Sequence, residues 1–82
     1  MAKRAAKSQE KPKGYWENRV KTLLKIELTR QGVTYAQLAE RLREMGVPET
    51  EPNVRNKLSR GTFSAMFLIQ SLEALGVKEL RL

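Results

Sequence analysis

Two short helices and the turn that joins them are encoded in residues 33–61, VTYAQLAERLREMGVPETEPNVRNKLSRG. Thr34 followed by Gln37 has the spacing of a capping box, in which each side chain bonds the other residue's backbone amide. Thr50 can cap a second helix. Glycine and proline separate the two segments, so we predict a helix on each side of a turn. The predicted helices span about 34–45 and 51–60.

The second of these helices carries amide and basic side chains on its outward surface. Val54 and Leu58, four residues apart, predict its buried face. No acid follows its first turn, and its polar positions include Asn53, Arg55, Asn56, Lys57 and Arg60. Asparagine can pair with adenine and arginine with guanine, and basic side chains also bind phosphate. We interpret this surface as a nucleic-acid contact; the alternative is a solvated face with bases at the negative end of the helix dipole.

Two further helices are predicted on either side of this pair, and each ends at a glycine. They span about 15–31 and 64–75, which gives an all-α fold of four helices. The apolar side chains expected in the core from the first two helices are Trp16, Val20, Leu23, Leu24, Ile26, Leu38, Ala39, Leu42 and Met45. Glu27 falls within the first apolar stripe, so we expect it to pair with Arg60 or another nearby base.

The last helix is apolar around most of its circumference, and such a helix must be covered on more than one side. A chain of 82 residues has a marginal core. We therefore predict a homodimer formed through this helix and the C-terminal residues 77–82, VKELRL.

Composition narrows the classes of function. Sixteen Lys and Arg residues against nine acids give a net charge of +7 and a sequence pI of about 10.2, which favours a polyanionic partner. The chain has no Cys, His or Asp. A thiolate or histidine metal site and a Ser-His-Asp triad are therefore excluded. We predict a single binding domain that is not an enzyme, with no cofactor, no metal and no small-molecule ligand.

Residues 1–14, MAKRAAKSQEKPKG, carry five bases and one acid, a net charge of +4. They hold almost no large apolar side chain, so we predict a flexible, disordered basic arm. It is either a solubilising tail or an arm that follows the DNA, and we favour the arm, with Lys3 and Arg4 as contacts. No apolar run is long enough for a signal peptide or a membrane span. The expected location is the cytoplasm, at the nucleoid.

Three stretches resemble phage-repressor-like (Xre-type) helix-turn-helix domains, and more closely a small bacterial family of uncharacterised function with the same pattern. They are VTYAQLAERL for the positioning helix, NVRNKLSRG for the recognition helix and FLIQSLEALGV for the following core helix. The resemblance covers about residues 16–77. It implies a compact, lambda-repressor-like fold that binds DNA as a dimer, with its third helix in the major groove.

The resemblance also implies roles for individual residues. Thr34 and Tyr35 would contact phosphate, with Gln37 beside them, while Asn53, Arg55 and Asn56 would approach bases. Tyr35 has the alternative of packing on the third helix. In the chain, Arg43 occupies the place of the usual turn glycine, and the connection GVPETEP is longer than usual. These departures imply a third helix that is shifted or tilted.

The resulting hypothesis is a homodimeric helix-turn-helix protein that binds double-stranded DNA in a sequence-directed way and regulates transcription. One alternative is nonspecific, chromosome-associated DNA binding. Another is a protein-interaction module that uses the apolar fourth helix, and a third is RNA binding by the basic arm, although no aromatic cluster is placed to stack bases.

Overall fold

The structure is a computed structural model that describes residues 10–82, and this part of the chain contains four α-helices. They are α1 (Tyr15–Gln31), α2 (Tyr35–Glu44), α3 (Glu51–Arg60) and α4 (Ala65–Ala74). No strand occurs within residues 10–82. The prediction of an all-α, four-helix domain is confirmed. Most of the proposed basic arm, including Lys3 and Arg4, lies outside the described residues.

The helix starts follow the local signals in the sequence. At α2, Thr34 Oγ1 accepts from the Gln37 amide at 3.1 Å, and Gln37 Oε1 accepts from the Thr34 amide at 2.9 Å, so the capping box is complete. Thr50 caps α3 by accepting from the Asn53 amide at 3.3 Å. Ser64 does the same at α4, where the Phe67 amide donates at 3.0 Å.

Three helices end in the same Gly-Val step. After α2, the Val47 amide donates to the Leu42 carbonyl and the Gly46 amide to the Arg43 carbonyl, both at 2.9 Å. This is the Schellman motif, which needs a left-handed residue at Gly46, where φ is 85°. The steps after α1 and α4 are Gly32-Val33 and Gly76-Val77. The turn glycine of the α2–α3 connection is therefore Gly46, and Arg43 remains helical.

The core lies where α2 packs on α3 and α4, and where α1 packs on the same two helices from the other side. Its buried apolar residues are Leu24, Leu28, Val33, Leu38, Ala39, Leu42, Val54, Leu58, Phe67, Leu72 and Leu75. This set confirms the predicted buried face of α3 and, except for Met45, that of α2.

Three residues predicted to be buried are exposed: Trp16 by 65%, Ile26 by 50% and Met45 by 43%. In α1 the buried face is centred on Leu24 and Leu28. At about 100° per residue, Ile26 lies about 200° from Leu24, on the opposite side of the helix. Trp16 lies about 80° from Leu24, at the edge of the stripe. Its ring contacts the neighbouring Tyr15 ring in an edge-to-face arrangement. Met45 follows Glu44, the last residue of α2, and so lies outside the helix whose buried face was predicted to include it.

Glu27 pairs with a base on its own helix. Its carboxylate accepts from Arg30 at 3.2 Å, while its side chain keeps 15% exposure. The prediction of an ion pair with a nearby base is confirmed, and the named partner Arg60 is wrong.

The outward side of α4 is uncovered within the described chain. Met66 is 70% exposed and Ile69 is 55% exposed, whereas Phe67 and Leu72 face the core. Within the described chain, α4 is therefore buried on one side and exposed on the other.

Candidate nucleic-acid interface

One side of α3 faces away from the core and forms the centre of the candidate site. We call Pro52, Asn53, Asn56, Ser59 and Arg60 the outer face of α3. All five are exposed, because Val54 and Leu58 on the opposite side are fully buried. At about 100° per residue, Asn56 lies almost directly opposite that buried pair. The outer face therefore presents two amides, a hydroxyl and one guanidinium, with no carboxylate among them.

Arg60 is the basic group of this face that stays free. No hydrogen bond or ion pair joins it to another side chain within residues 10–82. Other bases donate to backbone carbonyls instead: Lys21 to Ser59 at 3.2 Å and Arg41 to Ala74 at 3.4 Å.

Arg55 lies on one flank of α3 and pairs with Glu51, one turn earlier. Their side chains are 53% and 44% exposed. An exposed i,i+4 pair contributes about 0.3–0.5 kcal/mol, so a phosphate or base edge could replace Glu51 as the partner of Arg55 at low cost.

Lys57 lies on the other flank and is directed at the protein. Its Nζ is 2.5 Å from Glu49 Oε2 and 4.6 Å from the centre of the Phe67 ring. Its side chain is 38% exposed, and that of Glu49 is 8% exposed. Lys57, one of the predicted DNA contacts of α3, is thus held away from the outer face by its ion pair with Glu49.

The start of α2 presents hydrogen-bond donors. Within the capping box, Thr34 and Gln37 use their side-chain oxygens as acceptors, which leaves the hydroxyl proton and the amide NH₂ group to donate outward. Lys25 lines the same shallow groove as Thr34 and Tyr35. Tyr35 itself is half-buried and packs against the core.

Sequence reasoning missed Lys25 and Glu49. Lys25 is exposed on α1 and reaches the start of α2 only through the fold, so no spacing signal marks it. Glu49, in the α2–α3 connection, is 6% exposed, and its carbonyl accepts from Arg43 Nη1 at 2.7 Å. No sequence signal singles out Glu49, because Glu51 lies between the same two prolines.

No hydrogen bond or ion pair among residues 10–82 joins the two parts of the site directly. The hydrogen bonds and ion pairs within residues 10–82 connect Thr34 with Gln37 and Arg55 with Glu51, but none connects the start of α2 with the outer face of α3. The two parts are separate sets of donors on neighbouring helices.

The described residues thus form an all-helical domain whose third helix exposes an acid-free polar face. The chain belongs to the family described as a domain of unknown function (DUF6471), whose family model matches residues 16–80. No curated protein and no solved structure matches the chain. Within residues 10–82, no helix is long and apolar enough to cross a membrane.

Proposed function

We propose that this chain binds double-stranded DNA as a helix-turn-helix protein of the lambda-repressor-like type and regulates transcription at the bacterial nucleoid. The observation that carries the proposal is the outer face of α3, where two exposed asparagines accompany the guanidinium of Arg60, which has no side-chain partner among residues 10–82. In this arrangement α3 enters the major groove, and the start of α2 binds the phosphate backbone. The protein acts by binding, without catalysis or a cofactor.

The chemistry of each part suits its role. An asparagine side chain can donate to adenine N7 while its oxygen accepts from the adenine N6 amino group. An arginine can donate to guanine O6 and N7 together. Phosphate oxygens only accept, and the start of α2 offers the donors of Thr34, Gln37 and Lys25. The chain's excess of 16 bases over nine acids adds a long-range attraction to the polyanion.

We expect Arg60→Ala to weaken binding to a selected DNA site by about 10- to 100-fold, because one bidentate base contact is worth about 1–3 kcal/mol. Asn56→Ala should behave similarly. The matched control is Arg41→Ala, which removes the same guanidinium from an exposed position of α2 outside the outer face of α3 and outside the dimer surface. The site would be selected from a random DNA pool at two salt concentrations, and dissociation constants measured by fluorescence anisotropy.

Three outcomes separate the alternatives. Equal affinities for the parent and Arg60→Ala would contradict the proposed site. A uniform loss over all sequences would indicate nonspecific, chromosome-associated binding instead. A parent protein that binds no DNA would favour the alternative function, a protein-interaction module that uses α4.

The proposed DNA-binding form is a homodimer through α4 and the C-terminal residues. Leu80 lines two adjacent depressions, one shared with Ile26 of α1 and the other with Ile69 of α4. These three apolar side chains therefore belong to one surface, which Met66 extends along α4. Glu79 and Lys78 also line both depressions, so charges of both signs border the surface. A two-fold interface needs such self-complementarity, since the same patch serves both subunits.

We expect Ile69→Glu to convert the dimer to a monomer, because a carboxylate would be buried at the centre of the apolar interface. The control is Met45→Glu, which places the same group on an exposed apolar residue away from this surface. Sedimentation equilibrium would report the mass, and circular dichroism would verify folding. A monomeric parent, or a dimer that persists in Ile69→Glu, would refute this interface.

A further inference from the structure

Glu49 is the one acid among residues 10–82 that is buried, and it lies in the connection between α2 and α3. Two bases hold it from two helices. Arg43 of α2 donates to its carbonyl at 2.7 Å, and Lys57 of α3 donates to its carboxylate at 2.5 Å. Lys57 also lies over the ring of Phe67 in α4, with Nζ 4.6 Å from the ring centre. Glu49 therefore links α2 to α3, and Lys57 extends this contact to α4.

Stability alone does not explain a carboxylate in this place. Its Oε1 atom is buried without a hydrogen-bond partner among the described protein atoms. Replacing a buried ion pair by apolar side chains of similar size is often neutral or stabilising. Unlike an apolar pair, the ion pair is a directional contact of defined length. It therefore restricts how α3 can rotate against α2.

The connection makes such a restriction necessary. Five residues, GVPET, lie between Met45 and the start of α3 at Glu51, and the first of them turns the chain at Gly46. Within the described chain, the side-chain hydrogen bonds that tie this connection to the helices pass through Glu49 and Thr50. Thr50 caps α3 itself, so the polar link between α2 and α3 passes through Glu49, beside the apolar packing of the two helices.

We propose that Glu49, together with Arg43 and Lys57, is a positioning residue that sets the orientation of α3 and thereby the selectivity of its outer face for DNA sequence. This inference rests on the proposed DNA binding. Lys57 then contributes to recognition from inside the protein, by orienting Asn56 and Arg60, and not by touching DNA.

The test is the double variant Glu49→Met with Lys57→Met. It removes the ion pair without leaving one charge buried, and a methionine at position 57 can still pack on the Phe67 ring. Its control is Arg41→Met with Glu44→Met, which removes one base and one acid from exposed positions of α2 outside the outer face of α3 and outside the dimer surface. Lys57→Arg, which keeps the charge, serves as the conservative variant.

We expect the double variant to fold and to keep its affinity for random DNA, but to lose at least about tenfold in the ratio of affinities for the selected and a scrambled site. The control and Lys57→Arg should keep this ratio. Unchanged discrimination in the folded double variant would overturn the proposal, because a purely structural role would alter only the melting temperature.

A measurement without DNA separates this inference from the proposed function. Residual dipolar couplings of the free protein report the angle between α2 and α3, and we expect this angle to change in the double variant but not in the control. A changed angle in a protein that binds no DNA would support the positioning role and refute the DNA-binding function. An unchanged angle would overturn the positioning role whatever the protein binds.

Discussion

Replacing Gly61 by alanine is expected to cost more than about 3 kcal/mol of unfolding free energy. Gly61 ends α3 with a φ of 70°, and an added Cβ would lie 2.4 Å from the carbonyl oxygen of Glu17 and 2.8 Å from its carbonyl carbon. These atoms belong to the backbone of α1, so no flexible side chain can move aside. The clash adds to the cost of left-handed backbone for a residue with a Cβ, which is about 1–2 kcal/mol.

Gly32→Ala is the matched control for this variant. Gly32 has a similar φ of 65°, but an added Cβ would meet nothing within 4 Å. We expect only the conformational cost of about 1–2 kcal/mol, so the difference between the two variants isolates the close approach of α3 to α1. Urea denaturation monitored by circular dichroism gives both values. Equal losses would mean that the two helices separate easily at this point.

Leu58→Ala is expected to cost about 2–5 kcal/mol, which is a large part of the 5–15 kcal/mol typical of a folded domain. Leu58 is fully buried on the inner side of α3. Removing most of its side chain leaves a cavity where α3 packs on α1 and α2, and the surrounding residues relax only partly to fill such a cavity.

The comparison for Leu58 is Leu82→Ala, the same change at a residue that is 86% exposed. We expect an effect within about 0.5 kcal/mol there. Thermal unfolding and urea denaturation would measure both variants. A small loss for Leu58→Ala, comparable with that for Leu82→Ala, would contradict the packing of α3 described above.

The helix positions could be predicted from the sequence because their signals are local. Thr34, Thr50 and Ser64 each accept a hydrogen bond from the amide three residues later, so a four-residue window is enough to place a helix start. The glycines after the helices act over a similar distance. The buried pair of α3, Val54 and Leu58, follows from helical periodicity alone.

The errors concern which side of a helix meets a neighbour. Trp16 and Ile26 are apolar, but α1 buries the face centred on Leu24 and Leu28, and the position of α3 and α4 determines that face. For the candidate site, periodicity predicted the exposure of Asn53 and Asn56. It could not predict that Glu49, eight residues away in the chain, would draw Lys57 to the flank, because that contact depends on the path of the connection.

The ends of α3 and α4 receive donors from outside their own helices, and this affects how the domain assembles. Lys21 of α1 binds the Ser59 carbonyl, while Gln31 of α1 and Arg41 of α2 bind the carbonyls of Leu75 and Ala74. Helix starts that are capped locally can form before docking, but these carbonyls gain their partners only when α1 and α2 arrive. Completion of each later helix is thereby coupled to the earlier ones, which favours all-or-none folding of the whole domain.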